Sequence, residues 1–218
     1  YDIMKSSLYK YKIKNNELSL VQQYPLMKDD EGTCRPFTKI YQMNDSVFLL
    51  KEDGRDTKLH LANLKQQQGY DIYQCLLRIG KEGTYSAFDY DFDVVGNHIL
   101  LVYNYIDRLE FLHVNKKNEI VPQHILGSNK DQQNSNDLEL KSYFLAVTSY
   151  DNLFFCLRSN NGTEEGNVVC VFDINGNYKS QIILDHYVSS IIMDKAGMLV
   201  GYKEKDNATV FYRYVLKD

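Results

Sequence analysis

The sequence contains no tryptophan, only three prolines and no apolar run approaching the roughly 18 residues a membrane-crossing helix needs. So little proline with moderate charge argues against a disordered chain. The missing tryptophan weakens a sugar-binding reading, although the eighteen tyrosine rings also present an apolar face to saccharides. No charge of one sign dominates: the formal net charge is −4 and the signs are interspersed, so a nucleic-acid partner is not expected. The four cysteines, Cys34, Cys75, Cys156 and Cys170, show no CxxC spacing, which argues against a zinc site or a dithiol redox motif. They are expected as buried free thiols in strands, with Cys156 facing Cys170 across a hairpin as the alternative. Nor is there a GxSxG elbow, a phosphate-binding loop, a dinucleotide fingerprint or an HExxH pair, and the five histidines are scattered.

What is present is repetition. A chain of 218 residues can bury roughly 70% of its unfolded surface, enough for a substantial core. In "NVVCVFDINGNYKSQIIL", residues 167–184, two β-rich runs flank Asn175-Gly176, a pair suited to a type I′ turn with positive φ at both central positions. Upstream, "SYDNLFFCLRS" passes from a turn at Asp151-Asn152 into the triplet Leu153-Phe154-Phe155. Equivalent triplets stand at Val47-Phe48-Leu49, Ile99-Leu100-Leu101 and Met198-Leu199-Val200, spaced 52, 54 and 45 residues apart. A β-rich run precedes each triplet (Phe37–Met43, Phe88–Val95, Tyr143–Thr148, Val188–Met193) and another strand follows it (Leu59–Asn63, Leu109–Val114, Val168–Phe172, Thr209–Tyr214). A fourth strand is expected at Tyr73–Ile79, Ile120–Leu126 and Tyr178–Leu184. Such a meander has two apolar faces and buries both only by stacking on copies of itself, so the expected fold is an all-β propeller of four-stranded antiparallel blades. Two stacked sandwiches are the alternative. No 3.6-residue periodicity competes, so helix content should be very low.

At the N-terminal end, "LYKYKIKNNELSLVQQY" reads as a third and fourth strand without a first and second, while the last repeat stops after its third strand. The two ends together supply five strands. With Tyr1 as first residue, this reads as a single propeller domain over 1–218, N-terminally truncated, with four to five blades of a ring that had six.

The strand Tyr103, Tyr105, Asp107, Arg108 and the hairpin Val171, Phe172, Asp173, Gly176 match an aromatic-x-aromatic-x-Asp-Arg strand and a VFDxxG hairpin. On these motifs, over most of residues 30–216, the chain resembles the TolB-like six-bladed propeller proteins of Bacteroidetes. It departs from them in having "RIGKEGTYSAF" where a GxGP turn is usual. The resemblance implies an exported protein of the periplasm, outer membrane or cell surface, often lipid-anchored through a segment upstream. It transfers no catalytic residue.

The most suggestive acidic stretch is "FDYDFD", where Asp89, Asp91 and Asp93 alternate with Phe88, Tyr90 and Phe92 and so share one face of a strand. On an innermost strand they would line a channel, and Ca²⁺ takes several oxygen ligands. Same-face neighbours lie about 7 Å apart along a strand, too far for three to hold one ion. A solvated channel face is therefore preferred to a metal site, and no cofactor is expected. "DINGN" superficially resembles the start of a calcium loop, but its twelfth position is Leu184 rather than a bidentate glutamate, so it reads as a turn. Asp107 and Arg108 are expected to tie a turn between strands, and the Asn44, Asn161 and Asn207 sequons to be incidental. The polar stretch 127–142 has loop composition, and its length makes it the expected carrier of variable function on a propeller face.

Together these features favour a non-enzymatic envelope scaffold that binds a protein or glycan partner through loops on one propeller face. The alternative is a propeller hydrolase or lyase with a metal in the central channel.

Overall fold

The computed structural model describes residues 7–25, 37–52, 57–74, 89–127, 141–206 and 208–215. Cys34, Cys75, Ile79, Phe88, Asn207 and most of the 127–142 stretch lie outside them. Every element in the described residues is a strand, and no helix there is long and apolar enough to cross a membrane. Strands β1 (Ser7–Lys14) and β2 (Glu17–Pro25) form a two-stranded sheet. β3 (Phe37–Gln42), β4 (Val47–Glu52), β5 (Lys58–Asn63) and β6 (Gln68–Gln74) form a four-stranded meander, as do β7 (Tyr90–Val95), β8 (His98–Tyr103), β9 (Arg108–Val114) and β10 (Ile120–Gly127). A third comprises β11 (Phe144–Tyr150), β12 (Leu153–Arg158), β13 (Gly166–Asp173) and β14 (Tyr178–Val188), and a three-stranded sheet follows in β15 (Ser190–Met193), β16 (Leu199–Lys205) and β17 (Ala208–Tyr214). These are blades of a β-propeller, four of them readable, with the expected five strands at the two ends.

The chain separates into two compact units, residues 1–74 with 116–120, and residues 75–115 with 121–218. Within the second, the propeller logic is visible in single strands. Along β12, Phe154 and Cys156 enter one buried cluster with Leu100, Val102, Leu109 and Phe111 of the preceding blade, while Phe155 and Leu157 enter another with Ile191 and Leu199 of the following sheet. The period of two thus divides one apolar run between two cores. This is why the triplets look uninterrupted in sequence. The innermost strands are also tied laterally: Val147 N–H donates to Asp91 Oδ2 (3.1 Å), Ser149 Oγ to Val94 O (3.2 Å) and Met193 N–H to Thr148 Oγ1 (2.9 Å). In the first unit Tyr24, Phe37, Phe48, Leu50, Ala62 and Leu64 form the corresponding cluster.

Two local expectations are corrected. β6 begins at Gln68, five residues before the expected Tyr73, because Asn63 Oδ1 accepts the N–H groups of Lys65 and Gln66 and closes a short turn directly after β5. The turn at Asn175-Gly176 is not type I′, since only Gly176 has positive φ (84°). Gly176 N–H donates to Asp173 O (3.0 Å) and Asp173 N–H to Asn177 O (3.0 Å), which is a type I turn closed by a glycine bulge. Asp173 dictates that form, because its Oδ1 accepts the N–H groups of both Asn175 and Asn177 (2.9 Å each). Asp194 accepts the Ala196 and Met198 N–H groups in the same way on either side of Gly197, so an Asp-x-x-Gly turn closes the β13–β14 hairpin of one sheet and the β15–β16 hairpin of the next.

Candidate functional site

Asp91 and Asp93 alternate with the buried Tyr90, Phe92 and Val94 as the sequence predicts. Asp91, however, accepts from backbone groups. Asp91 Oδ1 accepts the Phe92 N–H (2.9 Å) while its Oδ2 takes that of Val147, and Asp89 Oδ2 accepts Asn104 Nδ2 (2.8 Å). Asp93 is half-buried at the β8 pairing position of Leu100. Among the described residues no group of three histidine, cysteine or acidic side chains could hold a metal ion. Asp173 likewise spends its oxygens locally, with Lys179 Nζ at 2.9 Å from Oδ2. The Asn177 side chain, helped by Lys179 and the Asn175 and Asn177 amides, holds the Asp173 carboxyl well below the usual carboxylate range.

Arg108 does not tie the turn with Asp107 as expected. It lies buried against Glu110, Nε to Oε1 2.5 Å, with 7% and 0% of the two side chains exposed. The two are neighbours on one face of β9 because they are two residues apart on a strand. In the first unit His60, buried on β5, pairs with Glu52 of β4. Cys156 and Cys170 do face each other across β12 and β13, as free thiols. Burial pushes both thiols up, that of Cys156 well above its ordinary value and aided by Cys170 and Asp91, while the Arg158 guanidinium pulls Cys170 partly back. Both are therefore poor nucleophiles at neutral pH.

Among the described residues, side chains placed to meet a ligand lie at one end of the β11–β14 sheet, where the chain enters β11 and where β12 turns into β13. A polar cavity of about 490 Å³ is lined by Lys141, Ser142, Tyr143, Arg158, Ser159, Asn160, Asn161 and Gly162. Its wall is fixed by backbone bonds: Ser142 N–H to Gly162 O (3.2 Å), Tyr143 N–H to Asn104 O (2.7 Å) and Ser159 N–H to Tyr143 O (2.9 Å). Asp89 contributes indirectly, by holding the Asn104 whose carbonyl anchors Tyr143. The turn itself is type I′, with φ of 53° at Asn161 and 86° at Gly162, closed by Thr163 N–H on Asn160 O (3.1 Å). Among the described residues no carboxylate lines the cavity, and neither Lys141 nor Arg158 forms an ion pair. In a protein of net charge −4, two cations beside five amide or hydroxyl side chains suit an acidic group.

The 127–142 stretch pointed to one side of this cavity, since Lys141 and Ser142 are its last two residues. Arg158, at the end of an apolar strand, carries no sequence signal, because only the β-hairpin geometry brings it beside Lys141.

No family model matches the chain, and no curated protein matches it. Among solved structures it is similar to Sqt1 of Saccharomyces cerevisiae, with a TM-score of 0.51 and 12% identity over 91% of this chain and 51% of that one. It is also similar to a protein from Lactobacillus plantarum, with a TM-score of 0.55 and 14% identity over 98% of this chain and 62% of that one. A third similar structure is apo AztD of Citrobacter koseri, with a TM-score of 0.51 and 12% identity over 83% and 43% of the two chains. The chain thus spans between 43% and 62% of the length of these structures. At such identities the likeness shows the fold alone, a β-propeller.

Proposed function

We propose that the protein is a non-enzymatic binding scaffold whose Lys141–Arg158 cavity takes an acidic group carried by a protein or glycan partner. The observation that supports this reading most is the pair of cations that, among the described residues, have no carboxylate partner, set beside Ser142, Ser159, Asn160 and Asn161. The arrangement suits a carboxylate held by Arg158 and Lys141, with neighbouring hydroxyls of the partner meeting the amides and the Tyr143 ring offering an apolar edge. The resemblance to TolB-like propellers would place this encounter at the cell envelope, with a six-bladed parent ring and a lipid anchor upstream.

The test is binding of two acidic probes, oligogalacturonate and polyglutamate, against neutral oligoglucose. Acidic probes should bind, and Arg158→Ala should weaken them by about tenfold to a hundredfold, as expected when a hydrogen bond to a charged group is lost. Acidic binding unchanged by substitutions at both Lys141 and Arg158 would move the site elsewhere. Turnover of either probe would overturn the non-enzymatic reading.

A further inference from the structure

The chain carries two Asn-Gly pairs in described turns, and the structure treats them oppositely. At Asn175-Gly176 the glycine N–H is engaged by Asp173 O (3.0 Å) and the Asn175 N–H by Asp173 Oδ1 (2.9 Å). Both glycines are closely packed, since an added Cβ would meet His124 Cδ2 at 2.8 Å at Gly176 and Lys141 Cβ at 3.0 Å at Gly162, so the two turns differ in their hydrogen bonds rather than their packing. At Asn161-Gly162 the asparagine is exposed, and among the described residues the Gly162 N–H has no acceptor. The turn is held instead at its flanks, by Thr163 Oγ1 on Asn160 O (2.8 Å) and Ser142 N–H on Gly162 O.

We propose that Asn161 is a site of spontaneous deamidation and that Asn175 is protected from the same reaction by its Asp-x-x-Gly turn. Gly162 N loses its proton to base and attacks Asn161 Cγ. The new C–N bond closes a five-membered succinimide, the Cγ–Nδ2 bond breaks, and ammonia leaves with the returned proton. Water then opens the ring at either carbonyl, leaving aspartate or isoaspartate at 161. No oxidant or reductant takes part. Glycine favours the attack because it has no Cβ to hinder approach and its backbone reorients freely. Exposed turn tips also sit at the low end of local opening free energies.

The product carboxylate falls on the wall of the cavity that holds Lys141 and Arg158. On the binding reading above, deamidation therefore supplies an internal counter-ion and lowers affinity for an acidic partner. The modification itself does not depend on that reading.

The experiment is peptide mass mapping, with isoaspartate quantified by isoaspartyl methyltransferase labelling, after incubating the folded chain in mildly alkaline buffer. A denaturant-unfolded sample runs in parallel. In the unfolded chain the two sites should react at similar rates. In the folded chain Asn161 should lead Asn175 by about tenfold or more, equivalent to about 1.4 kcal/mol of protection at the second site. Asp173→Ala should erase that gap by removing the Oδ1 acceptor of the Asn175 and Asn177 N–H groups and so loosening the turn that keeps the Gly176 N–H on the Asp173 carbonyl, and Asn161→Gln should abolish the product at 161. Equal rates in the folded chain, or a faster Asn175, would overturn the proposal. So would a gap that survives Asp173→Ala in a protein that still unfolds cooperatively. Asn161→Asp, assayed with the acidic probes, tests the consequence for binding separately, so failure of the binding reading leaves the rate comparison intact.

Discussion

Replacing Glu110 by glutamine keeps the shape of the side chain and removes the negative charge beside Arg108. Glu110 is fully buried, Arg108 exposes 7% of its side chain, and the contact is 2.5 Å, so solvent screens little of the interaction. A guanidinium stays charged at any ordinary pH, and the variant therefore removes the carboxylate that faces Arg108 Nε. Breaking such a pair from one side costs about 3–5 kcal/mol. For a chain of this size each kcal/mol lowers the thermal midpoint by roughly 2–4 °C, so a drop of about 6–20 °C is expected. Urea unfolding followed by far-ultraviolet circular dichroism measures the free-energy loss and a thermal melt the midpoint, with an unchanged m-value showing that stability alone has moved. The double variant Arg108→Met/Glu110→Leu should return to within about 1 kcal/mol of the parent or exceed it, because apolar replacement of a buried pair is often neutral or stabilising. A Glu110→Gln loss below about 1 kcal/mol would refute the reasoning, as would a double variant no better than the sum of the two single changes.

Phe154 is fully buried against Phe111, ring centroids 6.3 Å apart, and Phe154→Ala should cost about 3–5 kcal/mol in the same assay. The depressed Asp173 carboxyl contributes stability that is complete above its ordinary value near pH 4 and is lost as the pH falls through its lower folded value. Acid titrations should accordingly show the parent losing in that window a stability component that Asp173→Asn lacks throughout. Cys156 and Cys170, with thiols pushed up by burial, should resist iodoacetamide at slightly alkaline pH in the folded chain and react on unfolding, as read by peptide mapping.

The blades were legible because a strand buried on both faces leaves an unbroken apolar run, as Leu153-Phe154-Phe155 and Ile99-Leu100-Leu101 do at a near-constant spacing. The β6 start was not, because Gln68 and Gly69 have poor strand propensity and are recruited by pairing with Asn63 and Ala62. Asn-Gly correctly marked turns, yet its chemistry could not rank them. At 175–176 the preceding Asp173 overrides the type I′ preference, and the type I′ form is adopted at 161–162 instead. The cavity was half legible, since long polar connections carry function, whereas the charge of Arg158 acquires meaning only beside Lys141.

Acidic capture is tested most directly by titrating the folded chain with oligogalacturonate and polyglutamate at low and high salt, alongside the Lys141→Ala/Arg158→Ala variant. Saturable binding of at least one acidic probe is predicted, weakened by salt and abolished in the variant at unchanged thermal midpoint, with neutral oligoglucose inert. Acidic binding that survives in the variant, or equal binding of acidic and neutral probes, would contradict it.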